Sequence, residues 1–522
     1  MEKGMSKKKK TRGVIGKSLG LITLFIIITV AATATVFTAI QNVGIKRLNS
    51  KSAEPFVAST FTTNQKVENQ AANPLDLYVI SDTHIQANAA HTAGQIDFAE
   101  TEAITRAAFE RIIEDDSIEN VLLTGDLTNF GDRESCASLV ELLNSLVYAG
   151  KNVYPLPATH DFGHGRIDPN IVGRDEVSDI YKSFSQRTGK IIAESPFDNG
   201  YSYVVQIAEG YRLLVINADY IFTRGYTAEE LAWVIEQIEA SRRAGDYIFS
   251  MQHYPLLLPT PLYPYFGSND WHEWHLGAAE KMADAGLEFA FCGHSHMHSV
   301  VDYKTAKGNT IYSVSTAPLA GSPGLFRKVR FSYENVKIES VSLTAEELKS
   351  VGIETGGKNG SEYMRERFGK MILDMVHYAA TDMDKFVEHS GELQIGLSPE
   401  KLKNDKTLYA VIQNVGKVLD TIKVKELKNA LLYFGKIDES FGNRYVKDFL
   451  VELITGVSYG GMHYEPGTSE YLFAVLLIER AKPILEILDR SGKLLGTVEN
   501  IRDGLLYKDG PDDWNLTLPR LN

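Results

Sequence analysis

The 522-residue chain has only two cysteines, Cys136 and Cys292, so no disulfide framework holds it together. Stability must come from buried apolar surface, and a chain of this length has ample room for two or three cores. Positive charge is scarce as well. Lys and Arg number 54 against 67 Asp and Glu, for a net charge of −13. The first 17 residues alone carry a net +6, which leaves −19 on the remainder. An acidic exterior of that size repels nucleic-acid polymers and other polyanions. It points instead to a small substrate, or to one drawn in by bound cations. Long apolar runs are also missing, with one exception near the N-terminus.

That exception lies in the uncharged stretch 18–45, whose apolar part, Leu19 to Ile40, is long enough to cross the ~30 Å hydrocarbon layer as a helix. Lys7 to Lys10, Arg12 and Lys17 precede it, and such a basic flank stays in the cytoplasm. The expectation is a single-pass cell-membrane anchor with the rest of the chain outside the cytoplasm. Ala32-Thr33-Ala34 also fits a peptidase site, which would give a secreted protein after signal cleavage. No cysteine lies near the segment, so a lipid-modified anchor is excluded. The division that follows is a basic tail (1–17), the anchor or signal segment (18–40), a polar linker (41–74), an α/β domain (75–345) and a helical region (346–522).

Within the α/β part, short apolar runs bounded by turn formers read as buried strands. They are Leu75 to Ser81, Asn120 to Gly125, Asn152 to Leu156, Tyr247 to Gln252 and Leu287 to Gly293. Helical patterns such as Ala99 to Glu114 and Ala228 to Arg243 alternate with them, as in a sheet covered by helices. Each run is followed by residues with metal-binding side chains: Asp82 and His84, Asp126, His160, His253, then His294 and His296. Ligands gather at the carboxyl ends of strands in such sheets. Carboxylate oxygen and imidazole nitrogen suit manganese, iron or zinc, and two such ions close together can activate water and neutralise a phosphoryl transition state.

The segments Asp82-Thr-His84, Gly125-Asp126, Ala158-Thr-His160-Asp161, His253 and Gly293-His-Ser-His296, in this order, resemble the five blocks of the calcineurin-like metallophosphoesterases. The likeness covers about half of the chain, roughly residues 75 to 340, and its specificity lies in the ordered set rather than in any single block. It implies an αββα sandwich. Asp82, His84 and His296 would hold one divalent ion, His253 and His294 a second, and Asp126 would bridge. His160 would be the catalytic histidine beside them, and a metal-bridging hydroxide would attack phosphorus in line. In style the blocks are nearest the bacterial cyclic-nucleotide phosphodiesterases, so a small phosphodiester is the expected substrate, with a nucleotidase or a cell-envelope phosphodiesterase as alternatives. One block departs from the pattern. Thr159 stands where the family has an asparagine whose amide oxygen binds the second metal, and a hydroxyl is shorter and a poorer ligand. The second metal is therefore expected to bind weakly, and a non-catalytic relative that binds metal or a phosphorylated ligand is a further alternative.

Several other residues carry expectations. His164 is a replacement donor or substrate contact, and Asn129 an orienting or substrate-binding residue. His298 should lie at the surface or behind the ligands, and Cys292 should be a buried thiol. The loop after His253 crowds Tyr263, Tyr265, Phe266 and Trp271 together, and Tyr263 and Trp271 are expected to stack on a substrate ring or to pack the loop down. Beyond Gly352 to Gly360 the apolar residues recur at helical spacing, as in Met364, Phe368, Met371, Ile372 and Met375, and an all-α region follows. It carries no recognisable motif. Its His463 reads as a loop histidine, and no protein partner is identifiable.

Overall fold

The computed structural model describes residues 73–87, 89, 95–217, 225–260, 273–390, 403–404, 406–430, 436–459, 464–477 and 513–520. The expected membrane segment, Tyr263, Trp271 and His463 lie outside these residues. Among the described residues no helix is long and apolar enough to cross a membrane.

The fold is built on two sheets. The strands are β1 (Leu75–Ile80), β2 (Asn120–Leu123), β3 (Asn152–Pro155), β4 (Lys190–Glu194), β5 (Tyr203–Ala208), β6 (Tyr211–Val215) and β7 (Tyr247–Met251). They continue with β8 (Phe289–Cys292), β9 (Ser299–Lys304), β10 (Thr310–Ser315), β11 (Phe326–Phe331), β12 (Asn335–Val341) and β13 (Asn515–Pro519). The first sheet has the order β13-β12-β11-β1-β2-β3 and the second β4-β5-β6-β7-β8-β10-β9. β1, β2 and β3 run parallel, as do β6, β7 and β8, which explains why their sequences are nearly unbroken apolar runs: both faces are covered.

One core lies between the sheets, where Leu77, Val79 and Leu122 of one meet Leu213, Phe249 and Phe291 of the other. Phe331 stacks on Phe249 at 4.6 Å between ring centroids. Each fully buried side chain of this kind contributes roughly 1.5–3 kcal/mol. The helices Thr101–Glu114, Arg133–Tyr148 and Arg174–Thr188 cover the outer face of the first sheet. Ala228–Arg243 and Glu273–Ala285 cover that of the second. Layers of helix, sheet, sheet and helix make the expected α/β sandwich.

The described residues of the C-terminal region are largely helical, with Gly360–Thr381, Lys406–Leu419 and Val446–Val457 around a separate apolar core. It differs from the all-α expectation at its far end. β13 returns to the first sheet and pairs antiparallel with β12, and its Leu516 and Leu518 pack into the core between the sheets. The helix Gly360–Thr381 also leans on the sandwich. Its Met364 enters the first sheet's outer core, Arg367 pairs with Asp97, and Tyr363 donates to Glu100 at 3.1 Å.

Candidate metal centre

All six donors predicted from sequence emerge from the ends of β1, β2, β7 and β8 and meet on one side of the sandwich. Backbone hydrogen bonds tie these ends together before any side chain acts. Asp82 N donates to Gly125 O and His84 N to Asp126 O, both at 3.0 Å, and Gly293 N donates to His253 O at 2.9 Å. His294 N then reaches across to the Asp82 carboxylate at 3.1 Å, joining the two sheets at the site. Two glycines permit the crowding. A Cβ on Gly125 would lie 2.6 Å from His253 Nδ1, and one on Gly293 would overlap Ser81 Oγ and the Asp82 carboxylate.

The backbone carries strain in the same place. Seven non-glycine residues among those described have positive φ, and five of them are donors: Asp82, His84, Asp126, His294 and His296. A sixth is His164. Such conformations cost of order 1–3 kcal/mol each and persist where the surroundings impose them, which is characteristic of functional sites.

The donors form two groups, Asp82, His84 and His296, and Asp126, His253 and His294, with one ligand atom per residue lying within 4.8 Å of the others in its group. In the first, the Nε2 atoms of His84 and His296 face each other at 3.0 Å, and His296 Nε2 lies 3.4 Å from Asp82 Oδ1. In the second, His253 Nε2 is 3.0 Å from Asp126 Oδ2, yet the two are not aligned as a hydrogen bond. The first pair is within hydrogen-bond geometry, whereas the second sits as close without it. His253 Nδ1 donates to Thr124 O at 2.8 Å, which leaves Nε2 as the atom turned toward Asp126 and the rest of the group.

The electrostatics agree. Burial, then the neighbouring His160 and His296, hold His84 well below the usual histidine range, so it is neutral and ready to coordinate. For His253, burial acts the other way but is outweighed by Asp126 and Asp82, and the ring is pushed up to about 10. A proton held that firmly marks a place where the surroundings favour positive charge. The donor set therefore fits two divalent cations. Burial would raise the Asp126 carboxyl, but His253, His160 and His84 around it hold it well below the usual carboxylate range.

His160 stands beside them, its ring 4.7 Å from that of His84. Its backbone N–H donates to Asp126 Oδ1 at 3.0 Å, and its Nδ1 donates to Asn129 O at 2.6 Å. Asn129 thus orients this histidine, through its carbonyl; its side-chain amide donates to Gln86 Oε1 instead. His164 belongs to neither donor group, and its ring packs 4.2 Å from that of His160. The Thr159 hydroxyl is 3.0 Å from the hydroxyl of Tyr254. His298 is fully buried rather than at the surface. Its Nε2 meets Ser340 Oγ at 2.8 Å and its ring faces Trp514, so it serves the junction with the C-terminal segment. Cys292 is a buried thiol, as expected.

Two residues had no role in the sequence reading. Asp161 locks the loop of His160, accepting from Thr128 N, Ala158 N and Tyr181 OH at 2.8–2.9 Å. Its signal was present, as the last residue of the third block. Tyr254 follows a donor directly and has no motif to mark it.

Residues 75–298 match the family model described as calcineurin-like phosphoesterase. This part of the chain is a calcineurin-like phosphoesterase domain. The protein is thus a hydrolase acting on phosphoesters, and its two donor groups are candidates for the dinuclear metal centre that the family uses. No curated protein matches the chain. Among solved structures, a dimetal phosphatase from Danio rerio shares 13% identity, covering 51% of this chain and 95% of its own, with a TM-score of 0.40. A 5'-nucleotidase precursor from Thermus thermophilus shares 13%, covering 58% and 60%, with a TM-score of 0.33. The NAD nucleotidase of Haemophilus influenzae shares 12%, covering 60% and 72%, with a TM-score of 0.30. Likenesses this distant say nothing of the substrate.

Proposed function

We propose that this phosphoesterase cleaves a small phosphodiester, of the cyclic-nucleotide kind, outside the cytoplasm. The observation that carries the hydrolytic part is the gathering of two donor groups at the ends of β1, β2, β7 and β8, with His160 fixed beside them through Asp126. Asp82, His84 and His296 would hold one cation and Asp126, His253 and His294 the other. Bound there, two divalent ions supply Lewis acidity and acidify water enough to make it a nucleophile near neutral pH.

The chain's own residues do the rest. Asn129 O fixes the His160 ring through Nδ1, so Nε2 is the atom that exchanges a proton with the leaving-group oxygen. Burial keeps this imidazole below the usual histidine range. A phosphoester arriving beside it brings negative charge, which favours the protonated ring just as the leaving oxygen needs it. The strongly acidic exterior supports a small substrate over a polyanion. The basic flank and apolar run at the N-terminus support export and a membrane tether.

Purified protein is expected to cleave a bis-nitrophenyl phosphodiester with Mn²⁺, while protease added to intact cells should reach the domain. A second reading, a non-catalytic binder of metal or a phosphorylated ligand, is favoured by one observation: the Thr159 hydroxyl is engaged by Tyr254. Absence of hydrolysis with every divalent metal, together with activity created by Thr159→Asn, would establish that reading instead.

A further inference from the structure

The second donor group offers Asp126, His253 and His294, and the residue from which a fourth donor is expected is Thr159. A threonine side chain ends well short of the reach of an asparagine amide, so its hydroxyl alone leaves that position under-filled. The structure places another oxygen beside that of Thr159. Tyr254 is 2% exposed, and its ring lies 4.3 Å from that of His294 and 5.1 Å from that of His253, each in an edge-to-face arrangement. Its hydroxyl is 3.0 Å from Thr159 Oγ1.

The placement is built rather than incidental. Gln252 Nε2 donates to Tyr254 O at 2.6 Å, and His253 is held at Nδ1 by Thr124 O, so the backbone that presents Tyr254 is fixed on both sides. Thr159 is fixed in turn by its neighbours. The backbone N–H of His160 is bound to Asp126, and that of Ala158 to the Asp161 carboxylate.

We infer that Tyr254 is a further member of the second donor group: its phenol oxygen, positioned by the Thr159 hydroxyl, serves the second cation in place of the missing amide oxygen. Hard oxygen donors suit manganese or iron, so the two sites differ in donor set and in metal preference. The inference rests on the two-cation reading above, but not on hydrolysis. It also makes residues 159 and 254 a matched pair. An asparagine introduced at 159 would meet the phenol that the Thr159 hydroxyl now faces.

The test is a calorimetric titration of the metal-free full chain with Mn²⁺, resolving the first and second equivalents. Tyr254→Phe should weaken one equivalent by about 10- to 100-fold and leave the other unchanged. Co²⁺ should show the same selectivity in its visible spectrum, which reports the donor set. Thr159→Asn alone should not tighten the weak equivalent, whereas Thr159→Asn with Tyr254→Phe should. Circular dichroism of the metal-free variants controls for folding. Tyr254→Phe binding both equivalents as tightly as the unaltered chain, or losing both equally, overturns the inference while leaving the two-cation reading intact. A chain that takes up no Mn²⁺ at all overturns both.

Discussion

The two donor groups use the same residue types, yet the protein prepares them differently. In the first, His84 is neutral before any metal arrives, because burial and two neighbouring histidines disfavour its charge. In the second, Asp126 and Asp82 keep a proton on His253 up to about pH 10. One group contains a neutral His84, and the other a histidine holding a proton that a metal must displace. The difference follows from where each carboxylate points. Both groups contain one, but Asp126 lies 3.0 Å from its histidine, whereas Asp82 lies 3.8 Å from His84 and spends its oxygens on the His294 backbone. Similar ligand sets therefore need not bind with similar affinity.

The largest test of this contrast is Asp126→Asn, which removes the carboxylate of the second group, 3.0 Å from His253. Phosphodiester hydrolysis should fall below detection, and metal analysis should show fewer than two equivalents per chain. His160→Ala should lower turnover by roughly 100- to 10,000-fold, more for substrates with poor leaving groups, while both equivalents remain. A loss of metal in that variant would show that His160 supports the site instead of handling a proton. The pH dependence of binding comes next. Metal must displace the His253 proton, so affinity for the second group should rise with pH by up to about tenfold per unit until near pH 10. The His84 contribution should be flat above the ordinary histidine range, because that ring holds no proton to displace. Equal slopes for the two equivalents would abolish the distinction. The smallest effect should come from Gly293→Ala, whose methyl would press on Asp82. A cost of about 1–3 kcal/mol is expected in thermal unfolding, with weaker binding confined to the first group.

Much of this architecture was legible in the sequence for a simple reason. A parallel strand covered on both faces must be apolar along its length, so Leu75–Ile80, Tyr247–Met251 and Phe289–Cys292 stand out from their flanks. The donors then follow where the runs stop. What stayed hidden depends on three-dimensional closure. Nothing in the residue order says that Asp82, His84, Asp126, His294 and His296 adopt left-handed backbone, because no single one of them requires it. The role of Asn129 was anticipated but not its atom, since a backbone carbonyl leaves no trace in side-chain identity. Tyr254 was missed because its partner, Thr159, lies 95 positions away. β13 was missed although its alternation, Asn-Leu-Thr-Leu-Pro, is a strand signal. It is short and follows a long helical stretch, and so was read as part of it.

That last strand bears on how the protein comes into being. β12 leaves the ribosome about 170 residues before β13, which at about 5–20 residues per second is a delay of roughly 10–35 s. Throughout that interval one margin of the nascent sheet has unpaired amide and carbonyl groups exposed, an invitation to mispair with a neighbouring chain. The helical region is translated during the same interval, and its contacts through Arg367 and Tyr363 lie on a different flank. Closure of that edge thus waits on β13, and any holdup in translation between the two strands prolongs the hazard.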